Sequence, residues 1–324
     1  MSPFRLSQTL RRTAEKMAAG EMLKLDGYHS KQNNVLTAWC EFDSFECIRV
    51  GHGIDTAFSS AYVNVYPDRI ELFNNTFEPL HRATWQHRLC IKDYLLVVIE
   101  VTRCSMAKIR ISTSTGVFET AETDFRGCGT ECYMLPIGQN VVNAKLTYAD
   151  NDKNQPVWLF GDSYMDMYPR YLIEAGFGAT AIDGHSGRNS QAALASLKHA
   201  LKYCRAPQYL IWALGMNDAD TETAANEDWL KVSKELLQIC SEYRITPILC
   251  TTPDTPSRLN RFKNAYVFKS GCRVCDIASA VQRAGQREWY EGLLREDLVH
   301  PTEKGSQLIA MKMIAEIPEI QERF

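Results

Sequence analysis

From about Leu36 to Tyr148, apolar and polar residues alternate in short runs, among them Ala61-Tyr-Val-Asn-Val-Tyr66, Arg69-Ile-Glu-Leu-Phe73, Tyr94-Leu-Leu-Val-Val-Ile-Glu-Val101 and Lys108-Ile-Arg-Ile-Ser-Thr113. The runs are rich in β-branched and aromatic residues, the composition of strands that lay one face on a core. Gly51-His-Gly53, Pro67-Asp68, Asn74-Asn75 and Thr115-Gly116 read as turns between them. This predicts an all-β sandwich of jelly-roll type for residues 1–153. Ahead of it, Leu6 to Met22 is amphipathic and predicts a short helix. No internal repeat is evident.

The polar run Asp150-Asn-Asp-Lys-Asn-Gln-Pro156 reads as a linker and puts a domain boundary near Asn154. Beyond it, strand-like runs (Val157–Phe160, Ala179–Ile182, Tyr209–Leu214, Pro247–Thr251, Arg273–Ile277) alternate with helical patterns at Ser190–Tyr203 and Asn226–Tyr243. In the second helix Trp229, Leu230, Val232, Leu236, Leu237, Ile239 and Cys240 recur at the helical period. Alternation of this kind predicts βαβ units and a parallel sheet. The expectation for residues 154–324 is therefore a three-layer α/β/α domain with five parallel strands, its chemistry at their carboxyl ends.

Composition narrows the function classes. The chain has 324 residues, 45% apolar and 23% charged, which fits two globular domains. Thirty-six Lys and Arg against 39 Asp and Glu give −3, too near balance for a protein that works on a phosphate backbone or an anionic membrane, so no nucleic-acid or membrane partner is expected. The first residues, Met1 to Arg12, contain no signal-like apolar run, and no stretch approaches the ~20 apolar residues of a membrane span. A cytoplasmic location with the eleven cysteines largely reduced is the resulting expectation. Cys128, Cys132, Cys272 and Cys275 could form a zinc site on paper, but the two pairs fall in different predicted domains and Cys275 lies in a strand. No metal is expected, and Cys204, Cys240 and Cys250 read as core thiols.

Three short constellations carry candidate chemistry. Gly161-Asp162-Ser163 follows the first parallel strand, Gly215-Met216-Asn217-Asp218 follows the third, and Asp297-Leu-Val-His300 precedes Pro301 and the last helix. Singly they say little: a given tripeptide is expected ~0.04 times in such a chain, and an Asp-x-x-His pair about once. Their conjunction says more, since a nucleophile, an amide and a carboxylate–imidazole pair appear in order, two of them at strand ends where an α/β site belongs. Asp162 and Asp218 are expected to organise these loops by accepting backbone hydrogen bonds.

With Ser186-Gly187-Arg188 after the second parallel strand as a fourth block, the sequence from Val157 onward resembles the SGNH/GDSL hydrolases. The resemblance implies a flavodoxin-like domain without a cofactor, with Ser163 as nucleophile, His300 as base and Asp297 orienting it. It also implies an oxyanion hole from the Ser163 and Gly187 amides and the Asn217 side chain. Gly184-His-Ser186-Gly187 is not a G-x-S-x-G elbow, because Arg188 stands where the last glycine should be. Arg188 either orients substrate or covers a loop, and Trp289 and Tyr290 either wall the substrate pocket or brace the loop from within. The rim segment Thr252–Asn264 offers no residue to single out. The expected activity is hydrolysis of a short acyl ester, an acetyl group on a small or oligomeric carbohydrate, by an enzyme that could be a homo-oligomer. A thioesterase or lysophospholipase, and a non-catalytic carbohydrate-binding protein, stand as alternatives.

Overall fold

The computed structural model describes residues 8–29, 34–53, 60–75, 79–102, 106–125, 129–150, 155–166, 169–218, 224–283 and 286–321. The chain divides into two compact units, Met1–Lys153 with Lys202–Cys204 and Asn154–Leu201 with Arg205–Phe324, each with its own hydrophobic core.

Antiparallel strands make up the first unit: β1 (Gln8–Met17), β2 (Leu23–His29), β3 (Asn34–Glu41), β4 (Cys47–His52), β5 (Ala61–Val65), β6 (Arg69–Asn75), β7 (Pro79–Gln86), β8 (Tyr94–Val101), β9 (Met106–Thr113), β10 (Gly116–Glu119), β11 (Thr123–Asp124), β12 (Gly129–Ile137) and β13 (Val141–Asp150). One sheet runs β1-β13-β3-β8-β9-β10, with β11 also on β9, and the other runs β2-β12-β4-β5-β6-β7. Every second residue of β3 is buried, and Leu36, Ala38 and Cys40 from it share one core with Ile48 and Val50 of β4 in the other sheet.

The leading segment is a strand rather than the expected helix. β1 pairs with β13 from Gln8↔Asp150 to Met17↔Val141. Leu10 and Ala14 pack on the core from it. Their spacing of four is one helical turn, but it is also an even number, so it suits one face of a strand equally well. Pairing with β13 supplies the hydrogen bonds that decide between the two. Residues 6 and 7 lie outside the described residues. Gly51-His52 and Asn74-Asn75, expected as turns, instead end β4 and β6.

The second unit is built from β14 (Val157–Gly161), α1 (Ser163–Asp166), α2 (Pro169–Glu174), β15 (Thr180–Gly184), α3 (Ser190–Tyr203), β16 (Tyr209–Ala213), α4 (Ala224–Tyr243), β17 (Thr246–Cys250), α5 (Arg261–Lys269), β18 (Arg273–Cys275) and α6 (Glu303–Glu316). Its five strands are all parallel, in the order β15-β14-β16-β17-β18. Counted within the unit this is 2-1-3-4-5, the flavodoxin-like order, whose ligand crevice lies at the carboxyl ends of its first and third strands, here β14 and β16. Val157, Leu159, Ile211 and Ile248 share a cluster with Leu172 of α2 and Ile309 and Met313 of α6. The alternate residues Trp158, Phe160, Leu210 and Trp212 are buried on the opposite face.

The segment expected as a rim loop is irregular only to Asn260, where α5 begins. Cys240 and Cys250 are buried, but Cys204, just past the end of α3, is partly exposed. Among the described residues, Cys132, Cys272 and Cys275 are free thiols and no group of His, Cys, Asp or Glu is placed to hold a metal ion; Cys128 lies outside them. No described helix is long and apolar enough to cross a membrane.

Candidate active site

β14 is buried along its whole length and delivers Gly161-Asp162-Ser163 at its carboxyl end. Ser163, the first residue of α1, is only 4% exposed. Its Oγ lies 3.0 Å from Nε2 of His300, whose Nδ1 lies 2.8 Å from Oδ2 of Asp297. The loop that brings the last two residues here is locally determined. Asp297 Oδ1 accepts the backbone N–H groups of Val299 and His300 at 2.9 Å each, while Leu298 takes a left-handed φ of +57°. The two ends of the loop are tied by Arg295 N–H to the His300 carbonyl and Thr302 N–H to the Leu293 carbonyl. Thr302 then caps α6 by accepting the Gly305 N–H, so Pro301 stands before the helix rather than in its first turn.

The electrostatics suit a carboxylate that stays ionised. Partial desolvation disfavours the Asp297 charge, but the His300 and Val299 amides and the His300 ring outweigh it and bring its pKa down to about 2. Behind the pair, Tyr164 donates its hydroxyl to the Val299 carbonyl at 2.6 Å, and its ring centroid lies 6.3 Å from that of His300.

Two loops beside Ser163 carry the remaining motif residues. Gly187 has φ +77°, a conformation that favours glycine, and the chain before it is held by Ser186, whose N–H and Oγ both donate to Asp166 Oδ2. Gly215 has φ +142°, and a Cβ there would come within 2.7 Å of Thr252 Oγ1. The Asn217 side chain donates through Nδ2 to the Arg188 carbonyl at 3.2 Å, which joins the two loops, and accepts at Oδ1 from Arg258 Nη1 at 3.0 Å. Asp162 and Asp218 do organise these loops: Asp162 accepts the Tyr164 N–H, and Asp218 accepts the N–H and hydroxyl of Ser190. Burial pushes the Asp162 carboxyl up to about 7, chiefly by desolvation, with the Asp218 charge adding to it and the Tyr164 amide opposing.

No protein-family model and no curated protein matches this chain. Solved structures do. A GDSL-like lipase from Bacteroides thetaiotaomicron is 17% identical, over 52% of this chain and 89% of that one, at a TM-score of 0.43. A member of the lipolytic G-D-S-L family from Veillonella parvula is 18% identical over 50% and 97%, at 0.39. A carbohydrate esterase family 3 protein from Talaromyces cellulolyticus is 18% identical over 50% and 96%, at 0.38. The chain resembles the SGNH/GDSL hydrolases.

Of the other residues suggested for this site, Arg188 is engaged within the protein. It is 7% exposed, and its guanidinium turns inward to the Gly161 and Asp183 carbonyls and, at 3.3 Å, to the Asp183 carboxylate. Burial disfavours the Asp183 charge, but Arg188 and His185 together hold its pKa below the ordinary value. Arg188 is not the exposed loop cover of the alternative reading. Trp289 meets the Tyr164 ring edge-on at 6.4 Å, and its Nε1–H donates to the Asp254 carbonyl at 2.7 Å. It braces the loop. Tyr290 is 44% exposed, with its backbone N–H on the Val281 carbonyl. Sequence reading missed Tyr164, Arg258 and Lys263. All three act on residues more than forty positions away in sequence, and no local pattern marks such partners.

Proposed function

We propose that this chain is a serine ester hydrolase of the SGNH/GDSL type that works through an acyl-enzyme. The observation that carries the proposal is the unbroken series Ser163 Oγ, His300 and Asp297, at 3.0 and 2.8 Å, at the carboxyl end of β14. In this reading the Ser163 oxygen attacks the acyl carbonyl while His300 Nε2 takes its proton, and Asp297 holds the imidazole in the tautomer that leaves Nε2 free to accept. The tetrahedral oxyanion takes hydrogen bonds from the Ser163 and Gly187 amides and the Asn217 side chain; losing one such donor typically costs ~2.7–4 kcal/mol of transition-state stabilisation. Collapse expels the alcohol, which receives the proton from His300. Water then repeats the sequence to release the acid and restore Ser163.

For substrate we infer a short acyl ester, most specifically an acetyl group on a carbohydrate. The near-zero net charge suits a neutral ester better than a polyanion. We read β1-β13-β3-β8 and β2-β12-β4-β5 as the two four-strand sets of a jelly roll, and that reading supports the same choice by analogy of architecture alone. On this reading residues 1–153 form a jelly-roll domain and residues 154–324 the catalytic domain. Purified chain should hydrolyse 4-nitrophenyl acetate, and Ser163→Ala should abolish that activity. A panel of acyl chain lengths tests the finer claim, with a preference for eight carbons or more pointing to a thioesterase or lysophospholipase.

A further inference from the structure

We propose that Arg258 is a positioning residue of the oxyanion hole, acting through Asn217; this rests on the hydrolase reading above. An asparagine amide has nearly the same shape when its oxygen and nitrogen are exchanged, so shape alone does not decide which atom faces a substrate. A hole built on Asn217 works only if an N–H points at the oxyanion. The two neighbours of this amide cannot exchange roles. Arg258 carries donors only, so Oδ1 faces it, at 3.0 Å. The Arg188 carbonyl carries lone pairs only, so one hydrogen of Nδ2 faces that, at 3.2 Å. Flipping the amide would set nitrogen against guanidinium and oxygen against carbonyl. With both ends dictated, the second N–H of Nδ2 is the one left for an oxyanion. A full positive charge on Oδ1 also draws electron density from the amide and strengthens that N–H as a donor.

The surrounding chain is arranged to hold this guanidinium still. Thr255 and Arg258 exchange backbone hydrogen bonds of 2.9 and 3.2 Å around Pro256-Ser257, a tight turn in which Pro256 pre-sets the backbone. Asp254 accepts the Asn260 N–H at 2.6 Å, and Asn260 donates back to the Pro253 carbonyl at 2.8 Å. Arg258 Nη1 also holds the Met216 carbonyl. Lys263, 2% exposed, ties the turn to the Gly215–Asp218 loop by donating to Asn260 Oδ1 at 2.7 Å, to the Gly215 carbonyl and to the Asp218 carbonyl at 3.3 Å. Turn and oxyanion loop are thus one stitched piece, with Arg258 aimed at the amide.

The test is a double-mutant cycle on the full chain, with kcat and KM for 4-nitrophenyl acetate and the rate of labelling by a fluorophosphonate as readouts. Removing an oxyanion donor costs roughly 10²–10³ in kcat, so Asn217→Ala sets the ceiling. Arg258→Ala should lower kcat and the labelling rate by about 10–100-fold while KM changes less than about twofold, because the ground-state carbonyl needs the hole little. The double variant should be no slower than Asn217→Ala alone, and added guanidinium should partly restore Arg258→Ala. Arg258→Lys, which keeps donors and charge, should fall between wild type and Arg258→Ala; should the alanine variant fail to fold, this variant and its own cycle with Asn217→Ala carry the test. Equal rates for wild type and Arg258→Ala, or a double variant slowed by the product of the single effects, would overturn the proposal. A wild type that neither hydrolyses the ester nor labels at Ser163 would overturn the hydrolase reading, and this inference with it.

Discussion

The two units bury their strands differently. In the first, β3 and β9 alternate buried and accessible positions, and the outward faces carry ion pairs such as Arg110 with Glu119. In the second, β14 and β15 are buried at every residue, because helices cover both faces of a parallel sheet. A strand sealed on both sides has nowhere to present polar chemistry except at its end. β14 ends in Gly161-Asp162-Ser163 and β16 leads into Gly215-Met216-Asn217, so the site gathers where the strands stop. Uniform burial also explains the internal charge of the second unit: its end loops are held by buried ions such as Lys263 and the Arg188–Asp183 pair, whereas first-unit pairs such as Arg110–Glu119 and Arg69–Glu71 keep contact with solvent.

The comparison predicts effects that shrink with distance from those strand ends. Ser163→Ala or His300→Ala should cost at least ~10⁴-fold in kcat without lowering the melting temperature; retained turnover would break the assignment of chemistry to β14. Trp158→Ala, on the helix-covered face of β14, should cost about 3–5 kcal/mol of stability by urea denaturation. A loss below about 1 kcal/mol would mean that face is not sealed.

Next in size is a pH effect. The Asp162 pKa is about 7 when folded and near 3.9 when unfolded, so the folded chain holds this proton more tightly. Its contribution is fully present below about pH 4 and is lost as pH rises through about 7. Wild type should therefore lose stability relative to Asp162→Asn between pH 4 and 8, and a constant gap between their urea midpoints would contradict this. Least affected should be Arg110→Ala in the first unit, which removes an exposed, solvent-screened pair with Glu119 and should leave the urea midpoint nearly unmoved and turnover unchanged.

Much of this was legible in the sequence because it is local. The five parallel strands stand out as apolar runs with helical patterns between them, and Gly161-Asp162-Ser163 and Asp297–His300 each bring their residues together within one turn of chain. What sequence obscured is of two kinds. The Leu10–Ala14 spacing is common to helix and strand, and only β13, more than a hundred residues on, chooses between them. Arg188, Arg258 and Trp289 resemble surface or pocket residues until their distant acceptors, the Gly161 carbonyl, Asn217 and the Asp254 carbonyl, are in place.

The central claim, that Ser163 is a nucleophile activated by His300 and Asp297, is tested most directly by mass-spectrometric mapping of the chain after fluorophosphonate treatment. The account predicts one adduct, on Ser163, absent in Ser163→Ala and slowed by orders of magnitude in His300→Ala. An adduct on another residue that persists in Ser163→Ala, or labelling as fast without His300 as with it, would contradict it.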